Sequence, residues 1–226
     1  MNGHSPTGDC LPSAVSVLAV CAHPDDESFG LGAALSSWAA EGTRISVLCF
    51  THGEASSLGT ASGDLHRIRE RELASAAAEL GVGSFGLLGH PDGRLCEEPI
   101  EELSAELRRA VEQAAANLLL VFDEGGITGH TDHVRATEVA VAVAREAGIP
   151  VLGWVLPEAV AAQLNDELGT TFVGRRRQEI DLVVDVDRAR QLRAIRCHAS
   201  QAGENPVLWR RLELQRNQEA FRWLGR

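Results

Sequence analysis

The sequence of 226 residues contains no lysine and no tyrosine, and all 21 of its basic residues are arginine. Without lysine, the chain has neither the phosphate-binding lysine of a P-loop nor a Schiff-base lysine. Without tyrosine, it also has no phenol to pair with a lysine in acid/base catalysis. Several enzyme classes are excluded on these grounds, and any chemistry must use other side chains.

Basic residues are also outnumbered, because 32 acidic residues give the chain a formal net charge of −11. Nucleic acid and anionic membrane surfaces repel such a chain, so we predict neither as a partner. The five cysteines are scattered with no CxxC spacing, which indicates neither a disulfide framework nor a cysteine-based zinc site. We interpret them as reduced thiols. No signal peptide is recognisable at the N-terminus, and the predicted location is cytoplasmic.

The chain otherwise alternates short apolar runs with longer alanine-rich amphipathic segments, a rhythm typical of βαβ units. We predict a mobile polar leader over residues 1–13 and a single domain over residues 14–226. The predicted strands are residues 15–22, 44–50, 85–89, 117–122, 151–155 and 182–186. The predicted helices are residues 31–41, 65–80, 100–116, 133–147, 187–200 and 206–221. The predicted fold is α/β, with an open, mostly parallel Rossmann-like sheet and helices on both faces.

Polar clusters follow the first and fourth predicted strands, at residues 22–27 and 123–133. In open α/β sheets, ligands bind beyond the carboxyl ends of the strands where strand order reverses, commonly between strands 1 and 4. Three consecutive acids, Asp25, Asp26 and Glu27, would repel a phosphate and favour a cation. Histidines in both clusters add nitrogen ligands. Two imidazoles and one carboxylate with an open position are typical of catalytic zinc or non-haem iron.

Each cluster taken alone has a simpler interpretation as a turn that opens a helix, with Asp25, Asp26 or Asp132 as the capping residue. The presence of both at neighbouring strand ends favours the metal site. Gly30 and Gly32 resemble the start of a dinucleotide fingerprint, but position 35 is leucine and the acids before it would repel a pyrophosphate. No GxSxG motif occurs, which disfavours a serine nucleophile.

The two clusters, residues 22–27 (AHPDDE) and 130–133 (HTDH), resemble motifs of the PIG-L/LmbE family of zinc-dependent de-N-acetylases. Members of that family act on N-acetylglucosaminyl and related amino-sugar conjugates. Weaker similarities occur at residues 51–54, 91–93 and 198–201, so the resemblance extends over roughly residues 15–201. It implies an LmbE-like fold, a small-molecule amino-sugar conjugate as partner, and Zn²⁺ as cofactor. Because the same ligand types also suit iron, Fe²⁺ stays open.

The resemblance also implies site residues. It makes His23, Asp26 and His133 the metal ligands, and it makes Asp25 the general base that takes a proton from the attacking water. These roles suit amide hydrolysis, because an acetamide is a poor electrophile and neutral water is a poor nucleophile. A bound metal would polarise the carbonyl and activate the water.

Four further residues receive roles from the resemblance. His130 is implied to stabilise the oxyanion or to protonate the leaving amine, and Asp132 to orient His130. Arg69 and Asp92 are implied to contact the substrate. The alternative interpretations of these last two are an arginine on a helix surface and an aspartate in a turn.

The sequence therefore predicts a zinc-dependent hydrolase that removes an N-acetyl or other small acyl group from an amino-sugar conjugate. Two alternatives are a metal-dependent amidase of a larger acyl or thiol conjugate, and a metal-containing binding module without catalysis. Trp209 on the predicted C-terminal helix and Trp223 just after it indicate burial against the domain or in the interface of a homo-oligomer.

Overall fold

The computed structural model describes residues 9–58, 64–203 and 205–225. Its strands are β1 (Ser16–Cys21), β2 (Arg44–Thr51), β3 (Ser84–His90), β4 (Leu118–Phe122), β5 (Val151–Pro157), β6 (Gly174–Arg175), β7 (Leu182–Asp185) and β8 (Gln218–Gly225). Its α-helices are α1 (Asp26–Phe29), α2 (Gly32–Ala40), α3 (Leu65–Leu80), α4 (Ile100–Ala114), α5 (Gly126–Gly129), α6 (Thr131–Ala147), α7 (Glu158–Leu168), α8 (Ala189–Cys197), α9 (Ala199–Ala202) and α10 (Pro206–Gln215).

The strands form one sheet in the order β3-β2-β1-β4-β5-β8-β7, and β6 pairs separately with β5. All pairs from β3 to β5 are parallel, whereas β8 runs antiparallel to both β5 and β7. Chain order reverses between β1 and β4, which places a crevice beyond their carboxyl ends. The prediction of an open, mostly parallel α/β sheet is confirmed.

Two apolar cores lie on the two faces of this sheet. Val17 and Ala19 of β1 belong to the core that includes α2 and α3, while Leu18 and Val20 belong to the core beneath α4 and α6. Successive side chains of a strand point to opposite faces, so a strand buried on both faces needs an unbroken apolar run. This explains why the first and fourth predicted strands read as continuous apolar segments.

One predicted element was wrong, and one helix was not predicted. The helix predicted over residues 206–221 ends at Gln215, and the chain continues as β8, which carries Trp223. The backbone of this segment hydrogen-bonds to β5 on one side and β7 on the other, and that pairing overrides a weakly amphipathic local pattern. Helix α7 was missed; it follows Pro157 and ends at Gly169, whose φ of 64° suits a helix C-terminus.

Residues 1–8 of the predicted leader lie outside the described residues. Among residues 9–13, the Asp9 N–H donates to the Val183 carbonyl at 3.0 Å, and the Pro12 carbonyl accepts a hydrogen bond from Trp38 Nε1 at 2.9 Å. Within the described part of the chain, no helix combines the length and apolar character needed to cross a membrane.

Candidate active site

Three potential metal ligands converge where β1 and β4 end. His133 Nε2 lies 3.2 Å from His23 Nδ1 and 3.2 Å from Asp26 Oδ1, and His23 Nδ1 lies 3.8 Å from Asp26 Oδ2. An ion bound tetrahedrally through bonds of ~2.0–2.1 Å holds its ligand atoms about 3.3–3.4 Å apart. The donor set and its spacing therefore fit a divalent ion such as Zn²⁺ or Fe²⁺.

Backbone contacts orient two of these side chains. Asp26 Oδ2 accepts hydrogen bonds from the N–H groups of Ala22 and His23, both at 3.0 Å, so its other oxygen remains available. His133 Nδ1 lies 3.1 Å from the Gly126 carbonyl. A carbonyl can only accept, so this contact fixes the proton on Nδ1 and leaves Nε2 with a free lone pair.

Two carboxylates orient His23 by contacting Nε2, the ring nitrogen that is not directed at the other two ligands. His23 Nε2 lies 2.9 Å from Asp92 Oδ1 and 3.4 Å from Asp132 Oδ2. Burial acts to lower the pKa of His23, but these two carboxylates outweigh burial and raise it to about 10. With its Nε2 proton directed at the carboxylates, His23 turns Nδ1 toward the ligand group, and a bound ion would displace the proton from Nδ1.

A second, overlapping group combines His23 with Asp92 and His130. It includes the exposed His130, and the contacts of Asp92 described above use the opposite nitrogen of His23. The side chains of the first group are no more than 10% exposed. Greater burial and the fixed tautomer of His133 favour the first group as the metal site.

Asp25 adjoins this group but is held differently. Its backbone has a φ of 118°, a left-handed conformation, and its carbonyl accepts hydrogen bonds from the N–H groups of Ser28 and Phe29 at the start of α1. Its carboxylate lies 2.8 Å from Arg69 Nη2. Burial raises the pKa of Asp25 to about 6 although the positive charge of Arg69 acts to lower it. A carboxylate with such a pKa is suited to accept a proton near neutral pH.

Arg69 lies in the interior, so its interpretation as a helix-surface residue is wrong: it is 2% exposed. Besides contacting Asp25, its guanidinium donates to the carbonyls of Gly53 and Pro24. A side chain at position 53 would collide with this guanidinium, because a Cβ there would lie 1.9 Å from Arg69 Nη1. Arg69 thus ties the loops after β1 and β2 together beneath Asp25.

His130 and Asp132 lie beside the ligand group and contact each other. The Asp132 carboxylate accepts hydrogen bonds from the Gly93 and Leu95 N–H groups at 2.8 and 3.1 Å. The Asp132 backbone N–H donates to His130 Nδ1 at 3.2 Å, so it is the backbone of Asp132 that contacts His130. Burial, followed by the charges of His23 and His133, lowers the pKa of His130.

The family model described as "PIG-L: GlcNAc-PI de-N-acetylase" matches residues 18–144, more than half of the chain. The matched region includes both loops that carry the ligand group. The chain belongs to the PIG-L family.

Two curated relatives show how far the similarity extends. A 1D-myo-inositol 2-acetamido-2-deoxy-alpha-D-glucopyranoside deacetylase of Thermobispora bispora is 32% identical in an alignment of 149 positions that covers 55% of this chain and 49% of that protein. The deacetylase of the same name from Saccharomonospora viridis is 36% identical in an alignment of 159 positions that covers 59% of each chain. The alignments thus span about half the length of these curated relatives.

Solved structures support the PIG-L fold over nearly the whole chain. The N,N'-diacetylchitobiose deacetylase of Pyrococcus horikoshii has a TM-score of 0.68 at 22% identity, over 94% of this chain and 84% of that one. A conserved protein of Thermus thermophilus has a TM-score of 0.69 at 24% identity, over 92% and 93%. A teicoplanin deacetylase in a zinc-inhibited form has a TM-score of 0.66 at 20% identity, over 92% and 96%.

The ligand group of His23, Asp26 and His133 borders a crevice of about 510 Å³. Its polar lining includes Asp25, Arg69, Asp92, His130 and Gln201. The crevice therefore gathers side chains from the loops after β1, β3 and β4 together with α3 and α9. The long spacing of these residues along the chain hides this arrangement in the sequence.

Sequence reasoning missed the support that lies behind Asp25. Glu27 and His198 are both fully buried, with Glu27 Oε1 2.7 Å from His198 Nε2. The other Glu27 oxygen accepts a hydrogen bond from the Asp25 N–H at 2.9 Å. The one sequence signal was the HASQ segment at residues 198–201. Because His198 is 171 residues from Glu27 along the chain, this segment does not indicate which residue it contacts.

Proposed function

We propose that this protein is a metal-dependent hydrolase that removes an N-acetyl or other small acyl group from an amino-sugar conjugate. The observation that carries the proposal is the placement of Asp25, a carboxylate with a pKa of about 6, beside the His23–Asp26–His133 group in one crevice. The names of the relatives, deacetylases of inositol-linked acetamido sugars, supply the substrate class.

The three ligands would hold Zn²⁺ or Fe²⁺ through His23 Nδ1, Asp26 Oδ1 and His133 Nε2. When bound, the ion would polarise the amide carbonyl and lower the pKa of water from ~15.7 towards ~7. The excess of carboxylates around His23, namely Asp26, Asp92 and Asp132, matches a site that attracts a cation.

Asp25 is proposed as the general base. It takes a proton from the attacking water and then gives that proton to the amine nitrogen as the C–N bond breaks, so that the amino sugar leaves as a neutral amine. Its raised pKa makes both transfers accessible near neutral pH. Arg69 is proposed as a positioning residue instead of a substrate contact, because its guanidinium pairs with Asp25 and donates hydrogen bonds to two backbone carbonyls.

His130 is proposed to stabilise the negative charge that develops on the carbonyl oxygen. Its lowered pKa favours the neutral imidazole at pH 7, and its Nδ1 accepts the Asp132 N–H. The neutral ring must then carry its proton on Nε2, which can donate a hydrogen bond. A fixed donor directed at developing charge is an effective form of catalysis. Asp92, which also lines the crevice, is proposed to contact the sugar.

The test is release of primary amine from N-acetylglucosamine and from an N-acetylglucosaminyl inositol, measured on protein loaded separately with Zn²⁺ and Fe²⁺. Separate loading matters because one fold relative was solved in a zinc-inhibited form. Metal content is measured on the same samples. We expect about one equivalent of ion and metal-dependent amine release. Stoichiometric metal without amine release from any acyl sugar would contradict the proposal and favour a binding module.

A further inference from the structure

A second cavity meets the crevice at the ligand group. It has a volume of about 140 Å³ and shares five lining residues with the crevice: Asp26, Phe29, Thr128, His133 and Asn205. Apart from Arg211, its remaining walls are mainly apolar and aromatic, and they include Phe122, Ile127, Trp154, Phe172, Val207 and Leu208. We call this cavity the apolar pocket.

The apolar pocket is built from fixed side chains. Phe122 packs against both His133 and Trp154, with ring centroids 4.9 and 5.5 Å apart. Its ring also occupies the space beside Gly30, where a Cβ would lie 2.3 Å from Phe122 Cε1. Trp154 Nε1 donates to Glu219 at 2.6 Å, and the Arg211 guanidinium lies 5.0 Å from the Trp154 ring centroid. The walls are thus held in place before any ligand arrives.

The pocket is larger than an acetyl group requires. An apolar protein cavity of ~150 Å³ holds a benzene molecule, whereas an acetyl group adds a single methyl carbon to the carbonyl. An acetyl group would leave most of the apolar wall of this pocket without contact, and unfilled apolar space forfeits dispersion and burial energy.

We propose that the apolar pocket binds the acyl part of the substrate and favours acyl chains of about four to six carbons over acetyl. This inference rests on the proposed function, because it assigns the two sides of the cleaved amide to two cavities. The crevice, lined by Asp25, Asp92 and His130, suits the hydroxyl-bearing sugar. The pocket, which starts at Asp26 and His133, suits the chain on the carbonyl carbon.

The kinetic test compares N-acetyl-, N-butyryl- and N-hexanoyl-glucosamine as substrates of the metal-loaded full chain. One additional methylene in an apolar pocket changes kcat/KM by ~10-fold or more. We expect kcat/KM to rise at least about tenfold from acetyl to the better of the two longer chains. Equal or lower kcat/KM for both longer chains would overturn the inference while leaving the proposed function intact.

Val207, on α10, lines the apolar pocket and not the crevice, so Val207→Trp would add bulk to the pocket. We expect it to lower the ratio of hexanoyl to acetyl kcat/KM at least about tenfold. Val15→Trp is the matched control, because Val15 is 68% exposed and precedes β1, and it should leave the ratio unchanged. An unchanged ratio in Val207→Trp would contradict the assignment of the acyl chain to this pocket.

Binding of the product acid gives a readout that does not require turnover. Acetate and hexanoate are titrated into the metal-loaded protein, and tryptophan fluorescence is followed, with Trp154→Phe identifying the pocket signal. We expect hexanoate to bind at least about tenfold more tightly than acetate and Val207→Trp to abolish this preference. Absence of amine release from every substrate would contradict only the proposed function. Equal affinity for the two acids would contradict the inference that the apolar pocket binds the acyl chain.

Discussion

The part of the sheet from β3 to β5 and the part beyond β5 have different roles. From β3 to β5 the strands are parallel, and the loops at their carboxyl ends carry the proposed metal ligands together with Asp25 and His130. Beyond β5, β8 and β7 are antiparallel and cover a buried polar network. Parallel strands bring all their carboxyl ends to one edge, which concentrates chemistry there, whereas the antiparallel side closes and braces the sheet.

Glu219 of β8 is the centre of this network and is 1% exposed. Its carboxylate pairs with Arg188, accepts the Trp154 Nε1 hydrogen at 2.6 Å and accepts a hydrogen bond from Gln215 at 3.0 Å. These partners come from β5, α10 and the residue before α8. The network therefore fastens the last elements of the chain to the sheet, and we expect it to govern stability while the loops govern turnover.

The sharpest way to test this division is to remove a metal ligand. His133→Ala is expected to reduce bound metal from about one equivalent to nearly none and to abolish amine release, since only His23 and Asp26 would remain. Cooperative unfolding should persist, as measured by circular dichroism. His66→Ala, on the exposed face of α3, is the control and should retain metal. Full metal retention in His133→Ala would refute the assignment of this ligand.

Asp25→Asn should separate turnover from metal binding within the same loop. Loss of a general base lowers kcat by ~10²–10⁴-fold. The amide preserves the shape of the side chain, and the three ligands are untouched, so metal content should equal that of the unmodified chain. Plasma emission spectroscopy and amine release check the two halves of this expectation. Parallel loss of metal and activity would show that Asp25 belongs to the ligand set.

On the other side of β5, Glu219→Gln is expected to affect stability instead. Removing one partner of a buried ion pair leaves Arg188 without its counter-charge, at a cost of ~3–5 kcal/mol in the free energy of unfolding. Urea denaturation measures this change, and metal content below the transition should be normal. Glu213→Gln is the matched control, because Glu213 also pairs with an arginine but its side chain is 67% exposed. Metal loss before unfolding would show that the two sides are not independent.

Asp92→Asn should produce the smallest effect, because Asp92 acts on the metal through His23. Its Oδ1 lies 2.9 Å from His23 Nε2, and loss of such a supporting carboxylate lowers metal affinity by ~10–100-fold. Competition with a chelator measures the affinity. Asp64→Asn, with a side chain that is 56% exposed, serves as the control. An unchanged affinity would limit Asp92 to the substrate-contact role.

How much the sequence predicts differs between the same two regions. The buried parallel strands were predictable because apolar runs such as residues 15–22 record burial on both faces. The ligand loops were predictable because two clusters of acids and histidines follow neighbouring strands, although each cluster alone could simply open a helix. β8 was not, since no glycine or proline separates Phe221 and Trp223 from the preceding helix and only the partners β5 and β7 make them a strand.

Within the site, residue types were easier to predict than contacts. The clustering of His23, Asp26 and His133 follows from the strand order. By contrast, the Asp132 carboxylate accepts hydrogen bonds from backbone N–H groups near residue 93, and no sequence pattern indicates those contacts. The apolar pocket was missed for the same reason, because Phe122 and Trp154 also read as ordinary core residues. The cytoplasmic location, the extent of the domain and homo-oligomer formation stay predictions from the sequence.

The left-handed backbone of Asp25 carries one more consequence. Non-glycine residues held in such sparsely populated conformations cost ~1–3 kcal/mol, a penalty that glycine would avoid. Asp25→Gly would relieve this backbone penalty, but it would also leave the buried guanidinium of Arg69, 2.8 Å away, without its counter-charge. Breaking such a buried ion pair costs ~3–5 kcal/mol, which exceeds the strain relieved, so Asp25→Gly should be less stable than the parent chain. The ion pair with Arg69 thus keeps a strained non-glycine residue at position 25.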